Sequence, residues 1–181
     1  LDFYDRRMFE TTRAYPGTAD TLGALARDHV MALLTNKPED SARKVLSHCG
    51  LDGFFPHMIF GDGAFGRKPD PAGLRWLMAR HGASAARTVL VGDSEVDLAT
   101  ARAAGARICL ARYGFGFIRV DPASLAGDEW FLDQPRDLLG FLQRDRIGEG
   151  AEAVDVGGAE RHRLVGAEVR PLGHGELLIG L

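Results

Sequence analysis

From residue 18 to residue 143, stretches whose apolar residues are spaced as in a strand alternate with stretches whose apolar residues are spaced as in a helix. Short apolar stretches bounded by turn residues predict strands at 30–34, 57–60, 88–92, 107–111 and 130–132. Between them, apolar residues recur at helical spacing, as at Ala42, Val45, Leu46 and Cys49. This alternation predicts an α/β fold with a parallel sheet and flanking helices.

The pattern breaks at both ends of the chain. Residues 1–13 suit the last part of a helix, which Pro16 and Gly17 then end. Residues 14–145 form the predicted α/β core, and the helical period is lost beyond about residue 146. We expect the tail, residues 146–181, to form a β-hairpin or to be disordered, because its glycines and alternating apolar residues fit either.

Composition and charge exclude several classes of protein. The 181 residues, 45% apolar and 26% charged, are typical of one soluble domain with a proper core. A net charge of −3 indicates no surface for nucleic acid or an anionic membrane, and no apolar run approaches the ~20 residues that span a bilayer. Cys49 and Cys109 lack a CxxC partner, which favours reduced core thiols in a cytoplasmic protein. Nothing in the pattern indicates an oligomeric state.

The stretch from 88 to 105 carries the clearest chemistry. Asp93 follows a buried strand and a breaker, Gly92, and Ser94 then opens a helix that we expect to end at Gly105. Asp93 at the strand end and Asp97 in the first helical turn can converge on a hard cation that needs oxygen ligands. The alternative is that Ser94 and Asp97 form a capping box, which leaves Asp93 unexplained.

Two further sites follow other predicted strands. Thr35 and Asn36 come after the strand at 30–34 and precede a helix, which is an arrangement suited to an anion, although either residue can simply cap that helix. Lys68 lies between a glycine-rich loop and two prolines, where a fixed cation can neutralise phosphate charge. The alternative for Lys68 is an ordinary solvated surface lysine.

Three motifs in this order resemble those of the haloacid dehalogenase (HAD) superfamily, and within it the phosphoglycolate phosphatase-like members. They are 33–38 (Leu-Leu-Thr-Asn-Lys-Pro), 67–71 (Arg-Lys-Pro-Asp-Pro) and 91–97 (Val-Gly-Asp-Ser-Glu-Val-Asp), and 15–17 (Tyr-Pro-Gly) is similar to the segment after the family's helical cap. The resemblance implies a HAD-like Rossmannoid sheet and a Mg²⁺-dependent phosphatase. Its substrate would be a small phosphorylated metabolite, hydrolysed through an aspartyl-phosphate.

The resemblance also implies roles for particular residues. Thr35, with the backbone of Asn36, would bind the transferring phosphoryl group, and Lys68 would stabilise it. Asp93 and Asp97 would hold Mg²⁺. Lys68 would then act on the phosphoryl group rather than on the stability of the fold.

One part of the family pattern is missing. The family's first motif is a central strand ending in Asp-x-Asp, which supplies the nucleophile and the general acid, and this chain has no Asp-x-Asp. We therefore expect the chain to begin late in the helical cap of a longer enzyme, with 1–13 as the end of that cap. The sheet would then consist of two strand pairs, 30–34 with 57–60 and 88–92 with 107–111, with a slot between them. The apolar tail 177–181 is a candidate to fill that slot.

Two other functions remain open. A HAD-fold module that has lost its nucleophile would be a non-catalytic binding or regulatory protein. Another chemistry of the superfamily, such as that of a dehalogenase or a sugar phosphomutase, fits less well, because dehalogenases need no metal and phosphomutases usually lack the second acid.

Overall fold

The computed structural model describes residues 12–143 and the backbone of residues 176–180. Its helices are α1 (Thr18–Leu25), α2 (Glu39–His48), α3 (Ala72–His81) and α4 (Glu95–Ala104), and residues 137–143 are also helical. Its strands are β1 (Val30–Leu34), β2 (His57–Ile59), β3 (Thr88–Gly92), β4 (Arg107–Ala111), β5 (Trp130–Leu132) and β6 (Glu176–Gly180). Residues 1–11, which make up most of the predicted cap end at 1–13, lie outside this description, as do residues 144–175 and residue 181.

The strands form one parallel sheet in the order β2-β1-β6-β3-β4-β5. The predicted α/β fold is therefore confirmed, with the second strand one residue shorter than expected. Helix α4 begins after Ser94 and ends at Gly105, whose φ of 75° is the left-handed conformation that glycine adopts without strain.

Strand β6 occupies the centre of the sheet. It pairs in register with β1 from Val30↔Glu176 to Leu34↔Gly180, and with β3 from Thr88↔Glu176 to Val91↔Ile179. The slot expected between the two strand pairs is thus filled by the tail, as one alternative in the sequence analysis suggested. The physical reason is that β1 and β3 are buried and apolar, so an unfilled slot would leave both with unpaired backbone groups.

The core lies on both faces of the sheet because successive strand residues point to opposite sides. Met31 and Leu33 face a cluster that includes α1, α2 and the helical residues 137–143. Ala32 and Leu34 face a cluster that includes α3 and α4. The fold is therefore a sheet between two helical layers, and its strand ends are held rigidly by packing on both sides.

Two smaller findings concern the cysteines and the length of the apolar helices. Cys49 and Cys109 are free thiols, and burial raises the pKa of Cys109 to about 12. Across residues 12–143, no helix combines the length and the apolar character that crossing a bilayer requires.

Candidate active site

The predicted site residues come together at the carboxyl ends of β1 and β3. Thr35 directly follows β1 and Asp93 directly follows β3, with the single strand β6 between them. Two strand spacings of about 4.8 Å therefore separate the two backbones, a distance that a phosphate group and a metal ion can bridge. The parallel direction of the strands brings these residues to one edge of the sheet.

Thr35 is buried and tied to the sheet. Its N–H donates to the carbonyl of Ile59 at 3.0 Å, and its Oγ1 accepts a hydrogen bond from the N–H of Lys37 at 3.1 Å. Helix α2 begins only at Glu39, after Pro38, and the side chain that accepts from the Glu39 N–H is Asp62, at 2.9 Å. Capping, the alternative explanation for Thr35 and Asn36, is therefore wrong, and Thr35 belongs to the turn that leaves β1.

Asn36 holds the backbone of Lys68 with its side chain. The Lys68 N–H donates to Asn36 Oδ1 at 2.7 Å, and Asn36 Nδ2 donates to the Lys68 carbonyl at 2.9 Å. This pair of hydrogen bonds resembles the pairing between two β-strands, and it fixes the backbone of Lys68 relative to the end of β1. The sequence predicts a role only for the Asn36 backbone, because no local pattern shows that two residues 32 positions apart meet.

Lys68 is buried in an ion pair with Asp97. Its Nζ lies 2.6 Å from Asp97 Oδ1, and each side chain is only 4% exposed. A solvated surface lysine, the alternative in the sequence analysis, is therefore wrong for this position. The expectation that Lys68 is irrelevant to stability also needs correction, since removing one member of a buried pair leaves the other charge uncompensated.

The second carboxylate oxygen of Asp97 is also engaged. Oδ2 accepts from Ser94 Oγ at 2.6 Å and from the N–H groups of Asp93 and Ser94 at 3.2 Å each. The Asp97 N–H donates to Ser94 Oγ at 3.3 Å, which completes the capping box. Both oxygens of Asp97 thus already have donors. A direct Asp97–Mg²⁺ bond stays a prediction, and it would have to use the second lone pair of Oδ1 beside Lys68 or displace a donor from Oδ2.

Asp93 keeps one oxygen available. Its Oδ2 accepts from the N–H of Gly116 at 2.9 Å, while Oδ1 has no hydrogen bond within the described part of the chain. The loop fits tightly around this carboxylate, since a Cβ on Gly114 would lie 2.4 Å from Oδ2 and one on Gly116 would lie 2.8 Å from Oδ1. Only glycine therefore allows the backbone to enclose Asp93 this closely.

The carboxylate oxygens at this site suit a Mg²⁺ ion that takes only one or two of its ligands from the protein. Mg²⁺ prefers oxygen ligands, keeps several waters, and is often held by one or two carboxylates plus substrate phosphate. Asp93 Oδ1 meets this requirement directly, and Asp97 meets it less well because its oxygens hold Lys68 and Ser94. Residues 12–143 contain no cluster of three or more acidic, histidine or cysteine side chains that could form a closed metal site.

Tyr15 and Tyr113 lie near the same carboxylate, and the sequence by itself predicts a role for neither residue. Their rings meet edge to face with centroids 4.7 Å apart. Burial and the nearby charge of Asp93 raise the pKa of Tyr15. A hydrogen bond from the Phe115 backbone has a smaller effect and lowers it. Burial, the largest of several causes, raises the pKa of Tyr113 to about 12. The signals in the sequence are weak: Tyr15 follows the predicted cap segment, and Tyr113 begins a glycine-rich loop.

The chain is similar in sequence to a known protein family and to individual relatives. A family model described as haloacid dehalogenase-like hydrolase matches residues 1–111. A phosphoglycolate phosphatase of Rhodospirillum rubrum is 42% identical over 139 residues, which cover 74% of this chain and 57% of that protein. Phosphoglycolate phosphatase 1 of Pseudomonas aeruginosa is 40% identical over 129 residues, covering 71% of this chain and 47% of that protein.

A solved structure supports the same relationship. The crystal structure of a predicted phosphoglycolate phosphatase from Haemophilus somnus superposes with a TM-score of 0.64 at 30% identity, covering 70% of this chain and 56% of that one. The chain therefore spans about half the length of the relatives it matches. The match to the family model, together with the three motifs that now meet in one site, shows that the chain belongs to the haloacid dehalogenase-like hydrolase family.

Proposed function

We propose that this chain supplies the phosphate- and metal-binding part of a Mg²⁺-dependent phosphatase acting on a small phosphate monoester of the phosphoglycolate class. The observation that carries the proposal is the continuous chain of contacts from Asn36 through Lys68 to Asp97. It joins the end of β1 to the start of α4 and holds a cation at the sheet edge. The names of the matched relatives support the substrate class.

Each residue has a distinct role in this proposal. The Lys68 ammonium has three N–H donors, of which one goes to Asp97, so the others can contact phosphoryl oxygens. Thr35 and the Asn36 backbone bind the same group from the end of β1. Asp93 holds Mg²⁺, which when bound neutralises charge on the phosphoryl oxygens. Asp97 holds the Lys68 ammonium in place through their buried ion pair.

The covalent step needs a carboxylate that residues 12–143 do not bring between Thr35 and Asp93. In the proposed reaction that carboxylate forms a bond to phosphorus while the ester P–O bond breaks, and a proton goes to the departing alkoxide. Water then cleaves the aspartyl-phosphate, which releases phosphate and regenerates the carboxylate. Positioning and charge stabilisation by Lys68, Thr35 and the metal provide the remaining catalysis.

One observation favours a second function, a non-catalytic phosphate-binding module. The central position of the sheet is occupied by Glu-Leu-Leu-Ile-Gly, residues 176–180, whose single acid begins the strand. Glu176 pairs with Val30 and Thr88, at the end of the sheet opposite Thr35 and Asp93. In this arrangement β6 brings no carboxylate to the phosphate site.

Hydrolysis assays separate the two functions. The 181-residue chain should show no Mg²⁺-dependent hydrolysis of p-nitrophenyl phosphate, because the covalent step is missing. A fusion that places the unmatched part of the Rhodospirillum rubrum relative ahead of Leu1 should hydrolyse 2-phosphoglycolate. That activity should disappear with EDTA and in Asp93→Asn.

One outcome would contradict the phosphatase proposal, and another would contradict the missing nucleophile. A well-folded fusion that binds inorganic phosphate but never turns over would favour the binding module. Robust hydrolysis by the 181-residue chain that is lost in Asp93→Asn would mean that a residue of this chain is the nucleophile.

A further inference from the structure

Tyr15 lies at the rim of the phosphate site. Its ring packs edge to face on Tyr113, with centroids 4.7 Å apart, and 37% of the residue remains exposed. The position is held from the other side as well, since the Thr18 N–H donates to the Tyr15 carbonyl at 3.1 Å just before α1. A tyrosine fixed in this way loses little conformational freedom when its hydroxyl binds a ligand.

The loop beside Tyr15 is the one that encloses Asp93. The Gly116 N–H donates to Asp93 Oδ2, and Gly114 approaches the same side chain too closely for any Cβ. Between and after these glycines, Phe115 and Ile118 are 92% and 88% exposed. Among these three exposed aromatic or apolar side chains, Tyr15 alone carries a polar group, so its hydroxyl can recognise a polar substrate atom.

The groups below the rim have different properties. Thr35 and Lys68 are 1% and 7% exposed, and they suit the phosphoryl group, which enters deepest. Whatever is esterified to that phosphoryl group must extend toward solvent, past Asp93 and the rim. A phenol there is a neutral hydrogen-bond donor at pH 7, because its ordinary pKa is about 10.

We infer that Tyr15 is a specificity-determining residue whose hydroxyl donates a hydrogen bond to an oxygen on the non-phosphate end of the substrate, such as the carboxylate of a short phosphorylated acid. The inference rests on the proposed function and extends it from the phosphoryl group to the rest of the molecule. It assigns phosphate recognition to Lys68 and Thr35, and recognition of the esterified acid to Tyr15.

Calorimetric titration of the 181-residue chain in saturating Mg²⁺ tests this division. The probes are 2-phosphoglycolate, methyl phosphate, which lacks the carboxylate, and inorganic phosphate. Tyr15→Phe keeps the ring and its contact with Tyr113 and removes only the hydroxyl. We expect about tenfold weaker binding of 2-phosphoglycolate, the range for a lost hydrogen bond to a charged group, with the other two anions within twofold.

Tyr113→Phe is the matched control. It removes a hydroxyl from the neighbouring ring, which lies in the loop after β4, and we expect all three affinities to stay within twofold. Unchanged affinity of Tyr15→Phe for 2-phosphoglycolate would overturn the inference. An equal loss for all three anions would also overturn it, because the hydroxyl would then act through Asp93 rather than on the substrate. If the unmutated chain binds none of the anions, the proposed function itself fails, and the inference fails with it.

Discussion

Removing the ammonium group of Lys68 should destabilise the fold far more than removing an ordinary surface lysine. Lys68 and Asp97 are each 4% exposed, and the pair joins the loop before α3 to the first turn of α4. Asp97 would remain buried after Lys68→Met, with its hydrogen bonds from Ser94 and two backbone N–H groups but without a positive partner. The substitution keeps most of the side-chain volume, so the loss reports mainly on charge.

The expected cost follows from buried ion pairs in general. Breaking one by removing a single partner costs about 3–5 kcal/mol, and the hydrogen bonds that Asp97 retains favour the lower end of that range. A loss of about 3 kcal/mol corresponds to a fall in Tm of about 6–12 °C for a domain of this size. The exposed pair of Lys44 with Asp40 is the matched control, with Nζ 2.8 Å from Oδ2 and side chains 41% and 79% exposed. Lys44→Met should cost less than about 1 kcal/mol.

Urea denaturation, followed by circular dichroism, measures the free-energy cost of Lys68→Met and of Lys44→Met. The double variant Lys68→Met with Asp97→Asn should be destabilised by at least about 1 kcal/mol less than the sum of its two single changes, because the residues are in direct contact. If Lys68→Met and Lys44→Met cost the same, or the double variant is strictly additive, the buried ion pair does not exist in solution.

Three other outcomes can be measured on the same protein. Gly114→Ala should weaken Mg²⁺ binding in calorimetry and lower stability by about 1–3 kcal/mol, because its Cβ would fall 2.3 Å from the Cβ of Asp93; unaltered affinity would contradict the close fit. Leu178→Pro should abolish cooperative unfolding or cause aggregation, because Leu178 pairs with both neighbouring strands; a normal melt would refute a central β6. Cys109 should resist a thiol reagent at pH 8 that modifies Cys49, and stability should fall above about pH 9, as the unfolded thiol ionises first, until about pH 12; rapid modification of both thiols in the folded protein would contradict this.

Local pattern determined much of this molecule. The strands that carry Thr35 and Asp93 were predictable because short apolar runs end at turn residues, and helix α4 was predictable from Ser94 and Gly105. Strand direction followed from the alternation of strands and helices, so the meeting of Thr35 and Asp93 at one sheet edge was predictable too. These features depend on residues close together in the chain, where periodicity and turn chemistry act.

Tertiary structure decided the remainder. Residues 176–180 are too short and too uniformly apolar to be assigned by period, and they become a central strand only because β1 and β3 offer two unpaired edges. The burial of Lys68 depends on Asp97, 29 positions away, and its placement depends on Asn36, 32 positions away. Tyr15 lies near Asp93 only because the loop that contains Tyr113 packs against it. Such contacts join residues that are far apart in the chain, so they depend on packing, which no local pattern encodes.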